Sequence, residues 1–292
     1  MAGWNEILNS VEMSRNLDTQ ITKYLKQLSN YTGRNVIVYF SGWQQKVGVN
    51  ANWAIDDYDR NGFMNALKGL DKTKGLDLII QTPGGDLAAT KSIVEYLLAF
   101  FNKDVRVIVP HTAMSAGTMI ACSAKEIILG LHSTLGPIDP QIGGVPANEY
   151  LKLIKEGKEA LSQGKDIVYW RDVLSKYPPT FFGQCENAIS LSEKYVSTWL
   201  KDNMLAGQDE KLAKSTAKYL ANYNFHLNHN TRLHIKELQD NTSLVIKKLE
   251  DDSKLQDLVL SIFHCYSILV GNAKVAKIIE NQNGKKFVIS HQ

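Results

Sequence analysis

Ser115 lies among small residues in Pro110-His111-Thr112-Ala113-Met114-Ser115-Ala116-Gly117-Thr118, directly after the apolar, strand-like run 105–109. Upstream, a second apolar run, 76–81, ends in Thr82-Pro83-Gly84-Gly85-Asp86. A serine can supply a nucleophilic oxygen, and a glycine pair can present backbone N–H groups with no side chain blocking approach, as acyl transfer through an oxyanion requires. On its own, a serine before a helix is commonly an N-cap worth about 1 kcal/mol, and a glycine pair a tight turn. Two strand ends carrying both motifs to one edge of a parallel sheet favour chemistry, and Ser115 as its nucleophile.

The elements that must position these residues follow from periodicity. From Asn35 the chain alternates strand and helix signals: 36–40, 62–70, 76–81, 87–101 and 105–109. That order predicts βα units and a mainly parallel sheet. Asp86 is placed to cap the helix that begins at Leu87, and Ser115 opens a small-residue helix, 116–124, ahead of the strand 126–129. A nucleophile there sits at the positive end of a helix dipole beside free N–H groups. Residues 5–30 read as an amphipathic helical arm whose apolar stripe needs a surface to cover it. After Gly144 the chain turns helical, at 147–163, 166–176, 183–205 and 208–221. A further helix at 254–269 precedes a strand pair, 276–279 and 286–289, around Asn283-Gly284. The domain reading is an N-terminal helical arm, 1–34, a catalytic core, 35–205, and a mainly helical C-terminal subdomain, 206–292.

Thr82-Pro83-Gly84-Gly85-Asp86 together with Ala113-Met114-Ser115-Ala116-Gly117 resembles the Clp protease proteolytic subunit and signal peptide peptidase A, members of the ClpP/crotonase superfamily. Ser133-Thr134-Leu135-Gly136-Pro137-Ile138-Asp139-Pro140-Gln141 and Tyr177-Pro178-Pro179-Thr180-Phe181 resemble the serine dehydrogenase proteinase family. The resemblance implies an α/β fold, with a ClpP/crotonase-like parallel-sheet core of repeated ββα units and a helical C-terminal extension. It implies a serine peptidase that forms an acyl-enzyme at Ser115 and uses neither a metal nor an organic cofactor. It also carries one oxyanion donor to Gly85, with Gly84 shaping the turn, and the other to Ala116. Relatives of this kind assemble into rings or stacked oligomers, so a homo-oligomer is expected.

The general base has two candidates. The Clp pattern has its histidine some way past the serine, where this chain offers Asp139, so a triad of that pattern is not expected; Asp139, with prolines at 137 and 140, is read as fixing a loop or an oligomer contact. Signal peptide peptidase A uses a lysine instead, which must be desolvated to act as a base. Lys176 precedes Tyr177-Pro178-Pro179 in an apolar setting that could bury it, whereas Lys152, Lys155, Lys158 and Lys165 recur as on a solvated face. His229 lies in the densest histidine cluster, 226–234, and imidazole is the natural base for a serine. The motif order favours Lys176 over His229. His111 and the Cys185-Glu186 pair are read as structural.

With 292 residues, 44% hydrophobic and 22% charged, the chain has an ordinary globular composition that excludes disorder. A net charge of +3 with scattered basic residues gives no electrostatic case for nucleic acid. Three cysteines without C-x-x-C spacing fit reduced thiols and argue against zinc. The start lacks a signal-peptide pattern and no run approaches the roughly 20 apolar residues of a membrane span, so a cytoplasmic enzyme is expected. G-x-x-x-x-G-K-[ST] does not occur, so any ATP-driven unfolding falls to an unfoldase or regulatory partner that delivers peptide or protein substrates. The competing readings are a crotonase-type acyl-CoA hydrolase or isomerase, and a non-catalytic oligomeric scaffold of the same fold.

Overall fold

The structure, a computed structural model, describes residues 17–291. Its central sheet has seven strands: β1 (Asn35–Ser41), β2 (Leu76–Gln81), β3 (Val105–Val109), β4 (Glu126–Leu129), β5 (Ile246–Lys248), β6 (Val275–Asn281) and β7 (Lys286–Ser290), in the order β7-β6-β1-β2-β3-β4-β5. β1 to β5 are mutually parallel; β6 pairs antiparallel with β1, and β7 antiparallel with β6. The longer helices are α1 (Leu17–Thr32), α2 (Asp59–Leu67), α3 (Leu87–Phe100), α4 (Ala116–Ser123), α5 (Ala147–Ser162), α6 (Ile167–Leu174), α7 (Phe181–Asp202), α8 (Glu210–Ala221), α9 (Ile235–Asn241) and α10 (Ser253–Asn272). This is the mixed α/β, mostly parallel architecture of a ClpP-like fold.

The inner strands are near-continuous apolar runs because helices cover both sheet faces. Along β1, Ile37 and Tyr39 face a core shared with α2, α3, α4, α7 and α8, while Val36, Val38 and Phe40 face a second core built on α1 and α10. That division follows the alternation of side chains along a strand. In α1, Ile21, Leu25 and Leu28 recur on one face and are fully buried in the second core. The described part of the arm's apolar stripe is therefore covered within the chain itself; residues 5–16 of the expected arm lie outside the described residues.

Residues beyond 205 enter the same sheet as the core. β5 borders β4, and β6 pairs with β1 in the middle of the fold. The hairpin around Asn283-Gly284 announces itself locally, but which strand it joins is a long-range property that periodicity does not carry. Across the N-terminal ends of the strands runs a charged seam. Asp77, fully buried, accepts from Arg34 and Arg106, and Arg34 also bridges to Asp104, which Lys125 joins from the other side.

Candidate active site

At the opposite, C-terminal edge of the sheet, short pairings tie four loops together. Thr82 pairs with Ala113, Ala113 with Leu135, and Leu135 with Leu233. Gly84 and Gly85 come just after the first of these, Ser115 just after the second and Asp139 shortly after the third, and His229 comes just before the fourth. One transverse ladder thus gathers residues scattered from position 84 to 229.

Ser115 occupies the N-cap position of α4 with φ 49° and ψ −112°, a positive φ that a serine adopts only when its surroundings impose it. Its side chain makes no capping hydrogen bond. The plain N-cap role therefore does not account for this serine. Gly117 lets α4 approach so closely that an added Cβ would strike Thr82. Thr118 Oγ1 lies 3.0 Å from Ala113 O, and Gly136 N–H donates to it at 2.9 Å, fixing the serine turn to the loop that carries Asp139.

The glycine pair is required twice over. A Cβ on Gly84 (φ +101°) would lie 2.8 Å from Ser115 Cβ, so the turn packs directly against the serine. On Gly85 it would run into the Ile55 backbone, because Ile55 N–H donates to Gly84 O and Asp86 N–H to Ile55 O, each at 2.8 Å. In such a parallel bridge the intervening residue turns its own N–H away from the partner strand. Gly85 lines the cavity that also holds Ser115 and Ala116. Ala116 is the first residue of α4, where N–H groups have no intrahelical partner. Asp86 caps α3 by accepting from Ala89 N–H at 2.8 Å.

The cavity, about 360 Å³, is lined further by Asp86, Leu87, Met119, Ile138, Pro140, Ala188, Ser192 and His229. His229 Nδ1 lies 2.9 Å from Asp139 Oδ1. The other carboxylate oxygen accepts from Gln141 Nε2 at 2.8 Å. Asp139 is 1% exposed, and Ile138 N–H bonds to Leu220 O at 2.9 Å, so the acid is fixed from both sides. An ionised carboxylate on Nδ1 selects the tautomer with its proton there, leaving Nε2 as the acceptor. Among the hydrogen bonds of the described residues, none joins His229 to Ser115.

Lys176 is exposed and outside this cavity, as are Lys152, Lys155, Lys158 and Lys165. The Tyr177-Pro178-Pro179 segment does not cover it; instead Tyr177 packs against Phe181 and Tyr150. Of the histidine cluster, His226 is buried with Nε2 on Tyr219 O at 2.8 Å, and only His229 reaches the cavity. His111 stacks on Phe263, and burial, with help from Arg232 and His132, lowers its pKa. Cys185 is buried, and that burial raises its thiol. Sequence reasoning kept Asp139 and His229 apart. Their order after the serine, Ser…Asp…His, is the one in which α/β-hydrolases carry their triad, and it was the available signal.

A serine at a strand-to-helix turn with positive φ, packed on a glycine turn, thus shares one cavity with a carboxylate-bound imidazole on a ClpP-like fold. Residues 7–251 match the family of ClpP-like SDH-type serine proteinases, and the chain belongs to that family. It is similar to two uncharacterized proteins of Methanocaldococcus jannaschii. One is 33% identical over 204 residues, covering 68% of this chain and 64% of the relative; the other is 35% identical over 162 residues, covering 56% and 49%. The chain thus spans about half to two thirds of the length of those relatives. Among solved structures it is similar to the 1510-N membrane-bound stomatin-specific protease, at 15% identity and a TM-score of 0.41, over 70% of this chain and 79% of that one. Among the described residues of this chain, no helix is long and apolar enough to cross a membrane.

Proposed function

We propose that the chain hydrolyses peptide bonds through an acyl-enzyme at Ser115, with His229 as general base and Asp139 as its orienting acid. The observation that carries this reading is the His229–Asp139 bond on the rim of the Ser115 cavity. Ser115 Oγ attacks the scissile carbonyl while His229 Nε2 takes its proton, and the carbonyl oxygen becomes an oxyanion received by Gly85 and Ala116 N–H. Collapse breaks the C–N bond, with the proton passing from His229 to the leaving amine. Water, deprotonated by the same imidazole, then releases the acyl group. The first test is a fluorophosphonate probe: one adduct on Ser115 is expected by mass spectrometry, and labelling elsewhere, or none, overturns the reading.

The residue on the acyl side of the bond enters the pocket of Leu87, Met119, Ile138, Pro140 and Ala188. A glutamate side chain there would lose its hydration beside the Asp86 carboxylate, which also lines the pocket. Peptides with leucine or methionine at that position are therefore the preferred substrates over those with glutamate. The proposal includes homo-oligomeric assembly in the cytoplasm and turnover without ATP of its own, with an unfoldase or regulatory partner delivering folded substrates. It rests on the family's ClpP-like character. Sedimentation at a multiple of 32.7 kDa is expected; a fully active monomer overturns that part.

A further inference from the structure

Lys277 is fully buried on β6, opposite Ser41 of β1 in the antiparallel register, so both side chains leave the sheet on one face. Lys277 Nζ donates to Ala54 O at 2.7 Å and to Asp59 Oδ2 at 2.9 Å, and lies 3.3 Å from Asp56 Oδ2. Ser41 Oγ donates to Trp53 O at 2.8 Å. Tyr39, on the same face of β1, donates its hydroxyl to Asp59 Oδ2 at 2.9 Å, and Asp56 N–H reaches that oxygen at 3.0 Å. Two successive carbonyls, Trp53 and Ala54, are thereby held directly before Ile55. Ile55 in turn makes the two backbone bonds that seat the Gly84-Gly85-Asp86 turn.

A buried ion pair is a poor source of stability, because the desolvation of both charges offsets much of their attraction. Asp59 carries that cost: burial raises its carboxyl above the ordinary range in spite of Lys277, and Asp59 Oδ1 has no hydrogen-bond partner. The cluster's bonds to the chain converge on the segment beside the glycine turn.

We propose that Lys277, together with Ser41, is a positioning residue that aims the Gly85 N–H at the reacting carbonyl by clamping the backbone of residues 53–55. This rests on the reading of Gly85 as an oxyanion donor. Neither side chain lines the cavity. A loosened clamp weakens an interaction made mainly in the transition state, which lowers kcat and leaves KM nearly unchanged.

The test is the double variant Lys277→Met/Asp59→Asn, which removes both charges and so leaves no buried ion unpaired. Its kcat and KM on a fluorogenic leucyl peptide, and its affinity for a peptide boronate that mimics the tetrahedral intermediate, are compared with wild type. We expect kcat to fall about 10- to 100-fold, short of the 10²–10³ for outright loss of a donor, with boronate affinity falling in step. Ser41→Ala moves the same readouts in the same direction by less. Unchanged kcat and boronate affinity in the folded double variant overturn the proposal. If that variant does not fold, unchanged boronate affinity in Ser41→Ala overturns it. A wild-type protein that fails to label at Ser115 instead overturns the reading of the site on which the proposal rests.

Discussion

Gly84, Gly85 and Ser115 are held by backbone pairing at the ends of β2 and β3, close enough that a single added Cβ would collide with Ser115 or with Ile55. Asp139 and His229 sit on loops whose register is set by the Leu135–Leu233 bridge, and they meet through side chains. The first region positions N–H groups, which cannot swing independently of the chain. The second positions an imidazole, which can turn about its own bonds while the carboxylate restrains it. In the proposed reaction, rigid backbone would serve the charge that develops in the transition state, and a restrained side chain the proton that must move twice.

The largest effect expected on this contrast comes from the base. His229→Gln and Ser115→Ala should each lower kcat/KM by on the order of 10⁶-fold, since such residues act as a unit. Lys176→Met should keep near-normal turnover. An inactive but folded Lys176→Met alongside an active His229→Gln would reverse the comparison. Next, Asp139→Asn should cost about 10⁴-fold by releasing the imidazole tautomer, with little change in KM. A loss below tenfold would mean that the loop alone orients His229.

On the backbone side, Gly84→Ala should cost about 10²- to 10³-fold in kcat, because its Cβ would push on Ser115 and tilt the donors. Retained kcat would indicate that the turn shapes the fold and not the oxyanion site.

Which of these residues could be read in advance follows from the same contrast. The serine and glycine motifs are short and lie directly after apolar runs, so β2, β3, α3 and the Ser115 turn are all legible from local pattern. The pairing of Asp139 with His229 depends on Leu135 meeting Leu233, 98 positions apart in sequence, which no local periodicity reports. Lys176 drew attention through apolar neighbours, yet those aromatics pack on one another and leave the lysine in solvent. The arm's stripe was visible as a stripe, but its cover, α10, lies more than 200 residues away in sequence.

The smallest effect is expected at the far edge of the sheet. Burial acts to raise the Asp104 carboxyl, but Arg34 and Lys125 overcome it and hold the group at about 2, below its ordinary 3.8. A depressed carboxyl contributes stability above the unfolded value, and that contribution is lost as pH falls through the folded one. Asp104 is partly exposed, so the contribution is modest. Asp104→Asn should therefore lower Tm slightly at pH 5, with the gap from wild type closing as pH approaches 2, and leave the labelling of Ser115 unaltered. A gap that widens in acid would contradict the sign.

The central claim is that an imidazole held by Asp139 activates Ser115, and the most direct measurement is the rate of fluorophosphonate labelling at Ser115 as a function of pH. The rate should follow pH along a single limb in the wild-type protein, and both that limb and most of the rate should be lost in His229→Gln. A limb preserved in His229→Gln and lost in Lys176→Met contradicts it.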